Sequence, residues 1–141
     1  MNVKFLTLVV SAALVLAGCG VGAPSETAPL DKAGLIDLLT EAGATVESAG
    51  SVEQSFLSVG SETLKVNGVE VQVFEYATVE ALETDAVTIS PDGSSTDTIM
   101  ITWIATPHFF KSGRVIALYV GDDAEIVTLL SAALGPQFAG R

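Results

Sequence analysis

Residues 5–16 are almost wholly apolar, and apolar positions become periodic only after residue 30. Leu35, Leu38, Leu39 and Ala42 follow the i, i+3, i+4, i+7 spacing of an amphipathic helix, and Gly43 suits the left-handed residue that ends one. Val46 reads as part of a short strand, 48–51 as a loop, and 56–59 and 64–66 as short strands. Asn67-Gly68 predicts a type I′ hairpin, which needs positive φ at both central positions. Residues 69–76 then alternate as a half-buried strand does. Thr78 can cap a second helix reaching about Val87, and the Ser90-Pro91-Asp92-Gly93 turn follows it. Residues 99–106 and 115–120 are the most strand-like runs; both are apolar on both faces, which predicts central positions in a sheet. Asp122 or Asp123 can cap a last helix with the stripe Ile126, Leu129, Leu130, Ala133 and Leu134, stopped by Gly135-Pro136.

Short connections between neighbouring strands favour antiparallel pairing. The expected fold is therefore α+β: a two-layer sandwich of a mostly antiparallel sheet of about five or six strands with two or three helices. The chain's 141 residues allow one such domain, at 30–141, plus appendages. About 110 residues can bury a sufficient core without disulfides.

The N-terminal stretch has a different logic. Met1 to Lys4 carries one positive charge, the apolar run follows, and Leu16-Ala17-Gly18-Cys19 closes it. A basic end, an apolar middle and small residues before a cut are what an export signal needs. The run is roughly 13 residues, against the ~20 of a membrane span. An ordinary secretory signal is the nearer alternative, but the chain's one Cys falls where lipidation requires it. The ending Leu16-Ala17-Gly18-Cys19 resembles the lipobox of bacterial lipoproteins. The resemblance implies a signal peptide at 1–18, cleavage before Cys19, and diacylglycerol on its thiol. In many bacteria the new amino group is acylated too. Residues 19–29, rich in Gly, Pro and small polar residues, read as a tether. Membrane attachment through lipid on Cys19 places the domain in the bacterial cell envelope, facing the periplasm or the exterior.

Charge narrows the partners. Six Lys and Arg stand against 17 Asp and Glu. Removing 1–18 deletes Lys4 alone and leaves a net charge of −12. Such a chain is not built for nucleic acid, whose binding relies on basic residues replacing counterions. One Cys and one His exclude a Cys-based zinc cluster and a multi-His site, and no motif asks for a cofactor.

The segment 103–114 concentrates rare residues: the single Trp, the single His, Phe109-Phe110, Lys111 and Arg114, with no acid anywhere from Thr98 to Gly121. Buried strands that exclude charge, joined by a plain connection, account for it. The alternative is an interaction loop made of His108, Phe109, Phe110, Lys111 and Arg114, its tip approaching anionic headgroups or an acidic envelope protein. His108 also suits a general base near neutral pH, though a catalytic His needs a nucleophile and an orienting group beside it. Residues 92–97 offer oxygen ligands for Ca²⁺ but lack the spacing of an EF-hand, and an ordinary turn explains them. Glu70, Glu75, Glu80 and Glu83 belong to a solvated face unless the fold pairs two of them across a cleft. Phe74, Tyr76, Trp103 and Tyr119 suit a core, or the lining of a small-ligand pocket.

The globular part also resembles a family of small bacterial exported proteins. The likeness is carried by Phe74-Glu75-Tyr76, Ser90-Pro91-Asp92-Gly93, Trp103 with Pro107-His108-Phe109-Phe110, the stretch 113–121, and the closing Leu134-Gly135-Pro136-Gln137-Phe138-Ala139-Gly140. It implies a folded exported domain and brings over no catalytic residue. The leading expectation is a lipid-anchored binding or protein-interaction module. A small hydrolase using His108 and a small-ligand carrier with a pocket near Trp103 are its rivals.

Overall fold

Side-chain caps start all three helices of the computed structural model, which describes residues 27–53 and 56–141. The expected signal peptide, Cys19 and most of the tether lie outside the described residues. Helix α1 (Lys32–Glu41) begins where the Asp31 carboxylate accepts from Gly34 N at 2.9 Å. Helix α2 (Val79–Ala86) begins at Thr78, which accepts from Ala81 N at 3.1 Å. Helix α3 (Ala124–Leu134) begins at Asp123, which accepts from Glu125 N at 2.9 Å. Each such cap contributes about 1 kcal/mol by satisfying a donor the helix cannot. Gly43, at φ +91°, closes α1: its N–H donates to Thr40 O and that of Ala44 to Leu39 O, a Schellman ending.

Six strands form one sheet: β1 (Val46–Val52), β2 (Ser61–Val66), β3 (Val69–Glu75), β4 (Pro107–Ser112), β5 (Val115–Val120) and β6 (Ala139–Gly140). The order is β1-β2-β3-β5-β4-β6, with every neighbouring pair antiparallel. Asn67 and Gly68, at φ 51° and 81°, make the β2–β3 turn that their sequence predicts, with Val66 opposite Val69. The α+β fold, with a six-stranded antiparallel sheet and three helices among the described residues, is thus as the sequence leads one to expect.

The sheet is covered on both faces. Alternate residues of β5 divide between them: Val115, Ala117 and Tyr119 join Leu35 and Leu39 of α1 and Ile126, Leu130 and Leu134 of α3. Ile116 and Leu118 face the other way, joining Phe74, Tyr76, Phe109, Ile89 and Leu82 of α2. Period-2 alternation with both faces buried is why β5 reads as a continuous apolar run.

Four local expectations change. Residues 48–51 are not a loop; they stay within β1, where the register shifts between Ser48 and Ser51 and Gly50 takes φ +103°. Residues 56 to 59 form turns and bends rather than a strand. Residues 99–106 do not form a strand either: only an isolated bridge joins Met100 to Ser95. The place beside β5 that such a strand would take is filled by β4, which begins only at Pro107, and β6, two residues without periodicity that the sequence does not announce, covers the other edge of β4. Leu38, 39% exposed, falls outside the buried stripe of α1.

One carboxylate ties the second face together. Asp85 Oδ2 accepts from Ser58 N at 2.7 Å, Ser58 Oγ at 2.7 Å and Tyr76 OH at 2.9 Å. Burial, with Asp85 beside it, holds the Tyr76 phenol well above its ordinary range.

Deleting a ring from this two-sided core is expected to cost about 3–5 kcal/mol for Phe110→Ala. Val87→Ala, at a position 77% exposed, is expected to change stability by less than about 0.5 kcal/mol. Urea unfolding of both variants checks this, and similar losses for the two would contradict the burial described.

Candidate functional site

The residues expected to make an interaction loop are spread along a strand and its turn. His108, Phe109, Phe110 and Lys111 belong to β4, and Arg114 follows Gly113 in the β4–β5 turn. Phe109 and Phe110 are fully buried on opposite faces of the sheet, so neither projects from a tip. This corrects the exposed-tip expectation, and the cause is the alternation of β4: both faces of that strand are covered. Exchanging both Phe for Ser would empty two cores and so tests folding, not surface attraction.

The basic side chains of this segment also have acidic partners, supplied by other elements. Lys111 pairs with Glu83 of α2 and lies 5.2 Å from the centre of the Phe138 ring. Arg114 lies 3.6 Å from Asp31 and 3.7 Å from Glu75, and donates to Tyr76 O at 2.9 Å. The absence of acid along the segment itself is therefore compensated in space. Nearby, Lys32 pairs with Glu62, which raises the lysine's pKa and lowers the glutamate's. Glu75 and Glu83 thus serve as ion-pair partners, and Glu70 stands across from Lys65 in the β2–β3 register.

His108 is 9% exposed. Its Nδ1 lies 2.7 Å from Gln137 Oε1 and its Nε2 3.0 Å from the Gly121 carbonyl, and the ring stacks on Tyr119. Neither ring-nitrogen partner is a Ser, Thr or Cys, and neither is a carboxylate. The arrangement fixes the segment after α3 against β4, beside the β6 pairing of Gly140 with His108. One side of the ring lines a shallow surface groove of about 370 Å³ shared with Thr106, Asp122, Thr128 and Arg141.

Residues 92–97 include a turn in which the first of their two acids, Asp92, is already used. Asp92 Oδ1 accepts from Ser94 N at 3.0 Å, Ser94 Oγ at 2.8 Å and Ser90 Oγ at 2.8 Å, while Oδ2 faces Arg141 at 3.8 Å. Among the described residues no group of three His, Cys, Asp or Glu has the geometry to hold a metal ion.

The site that the fold does build is beside Trp103. Its indole Nε1 donates to Gly93 O at 2.7 Å, and its ring meets Phe56 and Phe109 edge-on at 6.0 and 5.9 Å. Gly93, at φ +70°, lies so close to Phe109 that an added Cβ would sit 3.0 Å from the ring. Trp103 is thereby pinned to the second face. The chain on either side is lifted off it: Met100 is 88% and Ile104 100% exposed. An open groove of about 520 Å³ runs along this segment, with Ile101, Trp103 and Ile104 as its apolar wall and Asp92, Asp122 and Arg141 on its rim. Thr106 Oγ1 donates to Asp122 Oδ1 at 2.6 Å, which fixes that side.

A ligand pocket near Trp103 is among the expectations from sequence, but a central strand over 99–106 would bury Met100 and Ile104, which the structure exposes. Pro107 was the available signal: proline is tolerated as the first residue of a strand, so the strand begins there and the run before it is something else. No protein family, curated protein or solved structure matches this chain.

The Ser94 N–H and the Ser94 and Ser90 hydroxyls hold the Asp92 carboxyl down at about 2, with Arg141 contributing. The unfolded value is about 3.9, so the folded form is favoured above it and this preference is lost as pH falls from about 4 to about 2. An NMR titration should show Asp92 and the Ser94 amide moving together with a midpoint near pH 2. A midpoint near 4 would mean that the turn contacts do not form.

Proposed function

We propose that this chain is a lipid-anchored extracytoplasmic domain acting as a binding or protein-interaction module. The observation that carries the second half of this reading is the pair of fully presented apolar side chains, Met100 and Ile104, flanking an indole that is itself held in place. Scattered exposed apolar residues are ordinary, but a contiguous apolar wall with a charged rim is the usual form of an interaction site. The anchor half rests on the apolar run ending in Leu16-Ala17-Gly18-Cys19 and on the uniqueness of that Cys. Among the described residues no helix is long and apolar enough to cross a membrane, so in this reading the acyl chains do the anchoring. Each buried CH₂ contributes ~0.8 kcal/mol, and two or three chains hold durably. The charge of −12 that remains after cleavage favours basic partners and disfavours nucleic acid.

The groove beside Trp103 is open along its length, which suits a partner's chain better than an enclosed small ligand. The hydrolase alternative gains nothing from His108, whose two nitrogens face Gln137 and Gly121.

Palmitate labelling in the native host is expected to mark the wild-type chain and not Cys19→Ala, with the variant lost from the membrane fraction. An unlabelled wild-type chain, or equal labelling of both, would remove the anchor from this reading.

A further inference from the structure

We propose that the groove beside Trp103 receives an extended protein segment in which basic and apolar side chains alternate, presented by another envelope protein. The inference rests on the anchored-module reading above and names its partner's chemistry.

Three features select that occupant. The first is size. The groove's volume of about 520 Å³ falls within the range of ligand sites, but it is open; Ile104 in its wall is fully exposed, and Met100, outside the wall, adds further exposed apolar surface. A small molecule would leave most of that apolar surface in water, whereas a peptide chain lying along the 100–106 segment would cover it.

The second is charge. Asp92 and Asp122 flank the apolar wall on a chain of strongly negative net charge. The rim's one cation, Arg141, lies near Asp92. Arg141 offsets Asp92, so the rim's net charge of −1 is centred on Asp122; an occupant with lysine or arginine beside a leucine-like residue complements it, and an acidic occupant is repelled.

The third is position. The first described residues are pinned to the β4–β5 turn: Arg114 N donates to Leu30 O at 2.7 Å, and Gly113 is so close to Leu30 that an added Cβ would sit 2.4 Å from its N. The groove lies at the opposite end of β4, beside Pro107. Six residues of strand separate the two ends by ~17 Å. The groove therefore lies at the end of β4 away from the point where the N-terminal segment joins the domain, and the acidic side chains on its rim repel anionic headgroups. Both favour a protein over lipid.

The test uses the full chain purified from its membrane, with Trp103, the single Trp, as reporter. The probes are two capped heptapeptides, one alternating lysine with leucine and one alternating glutamate with leucine. The lysine peptide is expected to change Trp103 emission saturably, and the glutamate peptide to leave it unchanged. Ile104→Ser, at a fully exposed position, is expected to weaken binding at least tenfold without shifting thermal unfolding, and Asp122→Asn to weaken it and reduce its salt dependence. Equal response to both peptides, no response to the lysine peptide, or full binding by Ile104→Ser would overturn the proposal. So would quenching of Trp103 by brominated phosphatidylglycerol when the chain is reconstituted in vesicles, because that puts the loop in lipid. The peptide measurement does not depend on acylation. Binding by a chain that carries no lipid would fail the anchor and keep the groove; a lipidated chain indifferent to peptide charge would do the reverse.

Discussion

The burial of β5 on both sides organises this molecule. A strand with Val, Ile, Ala, Leu and Tyr in succession has no face to give to water, so the sheet around it needs two covers. Helices α1 and α3 supply one with regular stripes. The other has only α2, an eight-residue helix that buries Leu82 and Ala86. One short helix cannot cover Phe74, Phe109, Ile116 and Leu118, and irregular chain must complete the layer. Leu57, Ile89 and Trp103 do so from segments without repeating geometry. Chain of this kind cannot turn all its apolar side chains inward, and Met100 and Ile104 are what is left outside. The exposed surface therefore follows from how the core is closed.

This origin also explains which parts of the fold could be read from the amino-acid sequence. Caps, the Asn67-Gly68 turn and the apolar stripes act over a few residues and announce themselves by spacing. Strand pairing does not. Residues 99–106 are as apolar as a strand, yet the place beside β5 belongs to 107–112, and the outer edge of that strand belongs to Ala139 and Gly140, some 30 residues later. Two residues hold that edge through partners fixed elsewhere, including the His108 contact with Gln137. Competition between distant segments for one edge leaves no mark in the apolar pattern of either; the one local sign is Pro107, where β4 begins. The same blindness affects the candidate site. Phe109 and Phe110 look like a loop tip only if the strand is taken to end before them, and Pro107 shows that it begins there.

Electrostatics follows a similar division. Along the chain, Lys111 and Arg114 sit in a stretch without acids and suggest a basic patch. In space, Glu83, Asp31 and Glu75 come from two other elements and the segment preceding α1. With acids nearly three times as numerous as bases, a lysine or arginine on this domain will seldom lack a carboxylate within reach. A positive surface is then hard to build. The distinctive polar feature is instead where acids border apolar surface, as they do at Asp92 and Asp122. These surface pairs contribute little to stability, in the range of about 0–1 kcal/mol each. Their effect lies in setting the sign of the potential that an approaching partner meets.

The Asp85 carboxylate has a consequence of a different kind. Three donors from two separate stretches meet at a single oxygen atom, so the corner formed by Ser58, Tyr76 and α2 is riveted at one point rather than seamed along a line. Losing that one side chain would remove three hydrogen bonds together, next to Phe56, whose ring rests edge-on against the Trp103 indole.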